Sequence, residues 1–135
     1  MRARVLVGIF LACIAWPVRA EAPTVAIAGR VEGASGKHVV HVALWTAANF
    51  LDTPTRELTI PPGGDLRFRF EVAPGRWAVS AYEDRNDNGT LDVGMFGPKE
   101  PNGFWRPFKA WRKPRFDDVD RDVTAPIADA VVKLK

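Results

Sequence analysis

The segment Glu83-Asp84-Arg85-Asn86-Asp87-Asn88-Gly89-Thr90-Leu91-Asp92 concentrates the side chains best suited to chemistry in this 135-residue chain. Counting from Asp84, oxygen-bearing side chains recur at every second position, at Asn86 and Asn88. Gly89, the main-chain carbonyl of Thr90, aliphatic Leu91 and the carboxylate of Asp92 follow. Calcium takes six to eight hard oxygens, and alternating side chains on a tightly curling loop converge on one point. The spacing therefore nominates Asp84, Asn86, Asn88, Thr90 and Asp92 as calcium (Ca2+) ligands. An EF-hand loop carries a bidentate glutamate at its twelfth position, which here is Met95. The segment also leaves a strand pattern rather than a helix. The expectation is a weak calcium loop outside the EF-hand fold, with Glu100, the acids near Asp117 or water completing the shell. The alternative is a polar hairpin loop held by side-chain-to-backbone hydrogen bonds.

A second segment, Phe104 to Phe116, reads FWRPFKAWRKPRF and holds Arg106, Lys109, Arg112, Lys113 and Arg115 without one acid. Asp117, Asp118, Asp120 and Asp122 come directly after it. Cations beside flat rings can form a platform for an anionic glycan or lipid headgroup, which makes Trp105, Arg106, Trp111 and Arg112 a candidate ligand surface. The competing arrangement packs the rings on the body of the protein and pairs the cations with water or with those aspartates. His38 and His41 resemble a metal pair, but a spacing of three on a strand sends side chains to opposite faces, so they are assigned no site. Ser35 and Ser80 are the only serines, and no nucleophile elbow is present. No carboxylates stand out as a buried acid/base pair. An enzyme is not expected.

The N-terminus bears on compartment. Arg2 and Arg4 precede a ten-residue apolar run, Val5 to Ile14, that Pro17 breaks, and Val18-Arg19-Ala20 supplies small residues where a signal peptidase reads. Residues 1–20 read as a cleaved signal peptide and 21–135 as one domain, secreted and most readily placed in a bacterial periplasm. The run is shorter than the ~20 residues of a membrane span, so no transmembrane segment is expected. Phe10-Leu11-Ala12-Cys13 loosely resembles a lipoprotein processing site, the rival treatment of the same leader. Removing the leader's three arginines from the nineteen basic residues leaves sixteen, equal to the sixteen acids. A balanced secreted domain has no global field for nucleic acid. Its one cysteine, Cys13, leaves with the leader, so the mature chain has neither disulfide nor thiol chemistry.

The elements that must position these residues read as strands. Thr24–Val31, Val39–Trp45, Leu66–Val72, Arg76–Glu83 and Ala130–Leu134 alternate apolar and polar residues. Phe68, Phe70, Trp77 and Val79 are assigned to the core. Turn residues separate the runs at Gly33-Ala34-Ser35-Gly36, Pro61-Pro62-Gly63-Gly64 and Pro74-Gly75. No helical period competes, which predicts a single all-β antiparallel sandwich with a long ordered loop over 94–115. The stretch FRFEVAPGRWAVSAYED resembles small secreted sandwiches of the transthyretin-like or immunoglobulin-like kind.

Four motifs follow in order: Pro74-Gly75-x-Trp77-Ala78-Val79, then Asp84-x-Asn86-x-Asn88-Gly89-x-Leu91-Asp92, then Gly97-Pro98-x-Glu100-x-x-Gly103-Phe104, then Pro114-x-Phe116-Asp117-Asp118. In this order they resemble the bacterial secreted family called domain of unknown function 2141. The chain departs from that pattern at Val93-Gly94, where asparagine is common, and at Trp105, where a small polar residue is common. The resemblance implies a fold and a compartment and leaves the activity open. The leading expectation is a non-enzymatic binding or envelope-structural module with an unknown protein partner or an envelope component as its target. The alternative is a carbohydrate-binding module that stacks glycans on Tyr82, Trp105 and Trp111. A transthyretin-like hydrolase would be expected to end in Tyr-Arg-Gly-Ser, whereas this chain ends Val131-Val132-Lys133-Leu134-Lys135.

Overall fold

The computed structural model describes residues 12–17 and 22–135. The charged start of the expected leader and its cut after Ala20 lie outside the described residues. Within them, no helix is long and apolar enough to cross a membrane.

The described residues form ten strands and one short helix: β1 Val25–Glu32, β2 Val39–Trp45, β3 Arg56–Ile60, β4 Arg67–Val72, β5 Gly75–Asp84, β6 Val93–Gly94, β7 Gly97–Pro98, β8 Asn102–Phe104, α1 Phe116–Val119, β9 Arg121–Val123 and β10 Ile127–Lys133. One sheet has the order β10-β1-β4, and the second runs β3-β2-β5-β8, with β9 also pairing β5. They face each other as an all-β sandwich, and β6 and β7 form a small separate hairpin. β4 shows the cause most plainly: Phe68, Phe70 and Val72 are buried while Arg67, Arg69 and Glu71 are exposed, so period two places every apolar side chain on one face. In β2 the same rule puts Val40, Val42 and Leu44 against Val79 and Ala81 of β5 in the core shared with Phe68 and Phe70.

Three features differ from the sequence reading. β3 is an added edge strand paired only to β2. Its sequence Arg-Glu-Leu-Thr-Ile offers two apolar residues among polar ones, as an edge facing water permits. The expected long loop holds three short strands, β6, β7 and β8, and α1 stands where no helix was expected. Lastly, β10 pairs β1 in parallel, with Gly29 opposite Ala130 and Val31 opposite Val132. Between β1 and β10 the chain builds the second sheet and adds β4 to the first, a long connection of the kind that a parallel pair requires.

A second, smaller core covers the outer face of the second sheet. Ala43, Trp45 and Ala78 are buried there under Phe116 and Val119 of α1, with Phe50, Phe104 and Phe108 packed around them. Trp45 Nε1 donates to Ser80 Oγ at 2.8 Å. This covering layer carries the chain across the sheet to β9, which pairs with the start of β5 at Gly75–Trp77, at the end of the strand away from the candidate loop.

Candidate functional site

Asp84 ends β5 in register with Val39 of β2, on the face opposite Val79 and Ala81. It is 2% exposed. One carboxylate oxygen accepts the amide hydrogen of Asn88 at 3.2 Å and the other that of Gly89 at 2.7 Å. The curl that brings these amides back depends on left-handed backbone at Asp87 (φ 56°) and Gly89 (φ 74°), a conformation that glycine adopts freely and aspartate tolerates better than most residues. Burial works to raise the Asp84 pKa, but the two amide donors and His41 outweigh it, and the carboxyl lies below its ordinary value of 3.8.

The floor of the loop comes from His41, which the sequence assigned to no site, from Glu57, which it did not single out, and from Tyr82, which it offered only as a glycan-stacking ring. His41 of β2 sets Nε2 3.4 Å from Asp84 Oδ2 and Nδ1 2.7 Å from Glu57 Oε1 of β3. Its ring stacks on Tyr82, centroids 4.8 Å apart and planes 15° from parallel. Tyr82 in turn donates its hydroxyl hydrogen to the Gly89 carbonyl at 3.0 Å. The Tyr82 pKa is raised, mainly by burial and further by the surrounding carboxylates. Both ring nitrogens of His41 thus face carboxylates from neighbouring strands, an arrangement that arises only when β2, β3 and β5 lie side by side.

The far side of the loop is gathered by Asp92. Asn88 Nδ2 donates to its Oδ1 at 2.9 Å, and Asn86 Nδ2 donates to its Oδ2. Asn88 Oδ1 accepts the Thr90 amide hydrogen at 3.1 Å. Glu100, offered by the sequence as a further ligand, does other work. Its two oxygens accept the amide hydrogens of Arg85 at 2.9 Å and Asp92 at 3.2 Å, stitching the two ends of the loop together from a buried position. Three of the four acids of 117–122 are likewise spent elsewhere: Asp117 and Asp120 on Arg76, Asp120 on Arg106 and Asp118 on Arg112.

The structure thus draws Asp84, Asn86, Asn88 and Asp92 into one hydrogen-bonded loop, and Thr90 enters it through its amide. Among the described residues, no three His, Cys, Asp or Glu side chains gather closely enough to hold a metal alone. A cation here would use two carboxylates with amide and main-chain oxygens, an all-oxygen set suited to calcium rather than to a transition metal. Each carboxylate oxygen retains lone-pair capacity beyond the hydrogen bonds it accepts. A half-turn of the Asn86 and Asn88 amides would present oxygen in place of NH2. An open cleft of about 400 Å³ adjoins the loop, lined by Arg85, Asn86, Asp92, Val93, Lys99 and Glu100.

The candidate ligand surface is corrected at its centre. Trp105 is 2% exposed, sits in the main core and donates Nε1–H to the Val119 carbonyl at 2.8 Å. A large apolar ring gains more from burial than a solvent-facing stack would return, so Trp105 is a pin for the covering loop. Arg106 lies 3.8 Å from Asp120. Arg112 meets both oxygens of Asp118 at 2.7 and 2.9 Å and lies over the Phe108 ring. Trp111 alone of the four is fully exposed. Tyr82, the remaining ring of the glycan reading, is committed to His41 and Gly89.

The family described as "Uncharacterized protein conserved in bacteria (DUF2141)" has a model that matches residues 30–129, which takes in the loop, the hairpin after it and most of both sheets. No curated protein and no solved structure matches the chain.

Proposed function

The chain belongs to this uncharacterised bacterial family, and from that premise we propose that it is a non-enzymatic binding module of the bacterial envelope whose 84–92 loop takes up calcium. The observation that carries the reading is the convergence of Asp84, Asn86, Asn88 and Asp92 on a curl fixed from below by His41 and Tyr82 and tied at its neck by Glu100. The absence of an enzymatic role is supported by the serines: Ser35 Oγ is hydrogen-bonded to Glu83 and Ser80 Oγ to Trp45, while both His41 nitrogens face carboxylates.

Without a bidentate glutamate the affinity belongs in the range of extracellular modules, about 10⁻⁴–10⁻³ M. Calcium at about 1 mM would then raise stability by about 0.4–1.4 kcal/mol. Magnesium demands a tighter octahedron and holds its waters, so its effect is smaller. Thermal unfolding in calcium, magnesium and chelator, with Asp92→Ala beside the parent chain, is the test. The expected outcome is a rise in Tm with calcium alone, lost in Asp92→Ala. Coincident curves in all three solutions would remove the metal from the reading.

A further inference from the structure

The loop does not end at Asp92: it continues straight into the β6–β7 hairpin, whose turn residues are Met95 and Phe96. Val93, Met95 and Phe96 are 68, 92 and 96% exposed. A folded chain seldom leaves three large apolar side chains within four residues of one projecting turn in water without a use for them. Lys99 follows β7, and its amide hydrogen bonds to the Asp92 carbonyl at 2.8 Å. Lys99 and Arg85 both line the cleft at the hairpin's foot. Apolar apex, flanking cations and candidate metal loop therefore form one continuous end of the molecule.

We propose that this hairpin is a membrane-docking tip: with calcium in the 84–92 loop, Val93, Met95 and Phe96 enter the interfacial layer of an anionic bilayer. The proposal rests on the calcium reading above. Its electrostatics follow from residues 84–100, which carry four carboxylates (Asp84, Asp87, Asp92, Glu100) against two cations (Arg85, Lys99). Without metal that end repels an anionic surface, and one divalent cation cancels the difference. The shell of Asp84, Asn86, Asn88, Thr90 and Asp92 falls short of six to eight oxygens, and a lipid phosphate is a hard oxygen donor that can fill it. The cationic groups stay at headgroup depth while the apex goes deeper.

Area decides against a second copy of the chain as occupant. Three such side chains offer roughly 400–500 Å², counting an aromatic ring at about 150–250 Å². A stable protein interface takes about 800 Å² from each partner. A bilayer needs no complementary shape and accepts a small tip.

The experiment is co-sedimentation of the secreted protein with phosphatidylcholine vesicles, with and without phosphatidylglycerol, in calcium and in chelator. Met95→Ser/Phe96→Ser is the test variant, and Trp111→Ser, an equally exposed aromatic away from the loop, is the control. The expected result is capture by the anionic vesicles in calcium only. Capture should weaken about tenfold or more in the double variant, as removal of two apolar side chains from the interface implies, and stay unchanged in Trp111→Ser. The double variant should keep the calcium-induced rise in Tm, which shows that its fold and loop are intact. Capture that persists in chelator, that ignores the double variant, or that vanishes only with Trp111→Ser overturns the proposal. No capture while calcium still raises Tm overturns docking and leaves the metal reading standing. No calcium rise in Tm, with or without capture, overturns both. A dimer that dissociates in the double variant assigns the tip to a second copy and overturns it as well.

Discussion

Two adjacent carboxylates at the end of β5 are buried and charged, and they do different work. Asp84 holds the amides of Asn88 and Gly89, while Glu83, 0% exposed, accepts both the amide and the hydroxyl hydrogens of Ser35. Burial pushes the Glu83 pKa up, but the Ser35 donors, Arg85 and His38 push further the other way, so it lies below 4.5. A folded pKa below the unfolded one means that the ionised form is preferred in the native state. That stability is present above the ordinary values of 3.8 and 4.5 and is lost as pH falls through the lower folded values. Stability measured by denaturant across the acid range should therefore fall steeply below about pH 4, and Asp84→Asn should flatten the descent. Glu100 offers a sharper probe of the neck. Glutamine can accept through one oxygen only, so Glu100→Gln leaves the amide of Arg85 or Asp92 without its partner. The cost is about 1–3 kcal/mol, read as a lower Tm together with weaker calcium stabilisation.

At the scale of elements, β5 organises everything around it. It pairs with β2 along one edge and with β8 and β9 along the other, and its alternation sends Val79 and Ala81 inward while Ala78 and Ser80 face the covering layer and Tyr82 the loop. Asp84 inherits its direction from that register, because a slip of one residue would turn it into the core. β4 supplies the opposing face through Phe68 and Phe70, whose rings lie 5.9 Å apart. Phe70→Ala should cost about 3–5 kcal/mol, seen as a lower denaturation midpoint with an unchanged denaturant slope. A neutral outcome would contradict the observed parity of β4.

Across the whole molecule, the two sheets are joined where the chain's end meets β8. The amide of Lys135 donates to the Asn102 carbonyl at 3.1 Å, and the reverse bond is 3.3 Å. Gly103 lies so close beneath the Lys133 carbonyl that an added Cβ would stand 2.2 Å from its oxygen. Gly103→Ala must force β8 and β10 apart, at about 1–3 kcal/mol of overpacking. Because β8 leads directly into the pinned Trp105 and follows Glu100, the same change should loosen the neck of the loop. Hydrogen exchange should show faster amides at Arg85 and Asp92 in the variant than in the parent chain.

Period-two alternation in Leu66–Val72 and Arg76–Glu83 was enough to place Phe68, Phe70 and Val79 in one core with Trp77 packed against it, since side-chain direction in a strand is local geometry. The curl of 84–92 was equally legible, because Asp87-Asn88-Gly89 carries its conformational preference in its own residues. Burial of Trp105 and exposure of Trp111 were not legible: both are tryptophans among cations, and only the path of the chain over the second sheet distinguishes them. Glu57, His41 and Asp84 lie far apart in sequence, and no spacing rule links them. Their meeting depends on the register of β3 on β2 and of β2 on β5, which is decided by how the inward faces pack and not by the residues that consequently touch outside.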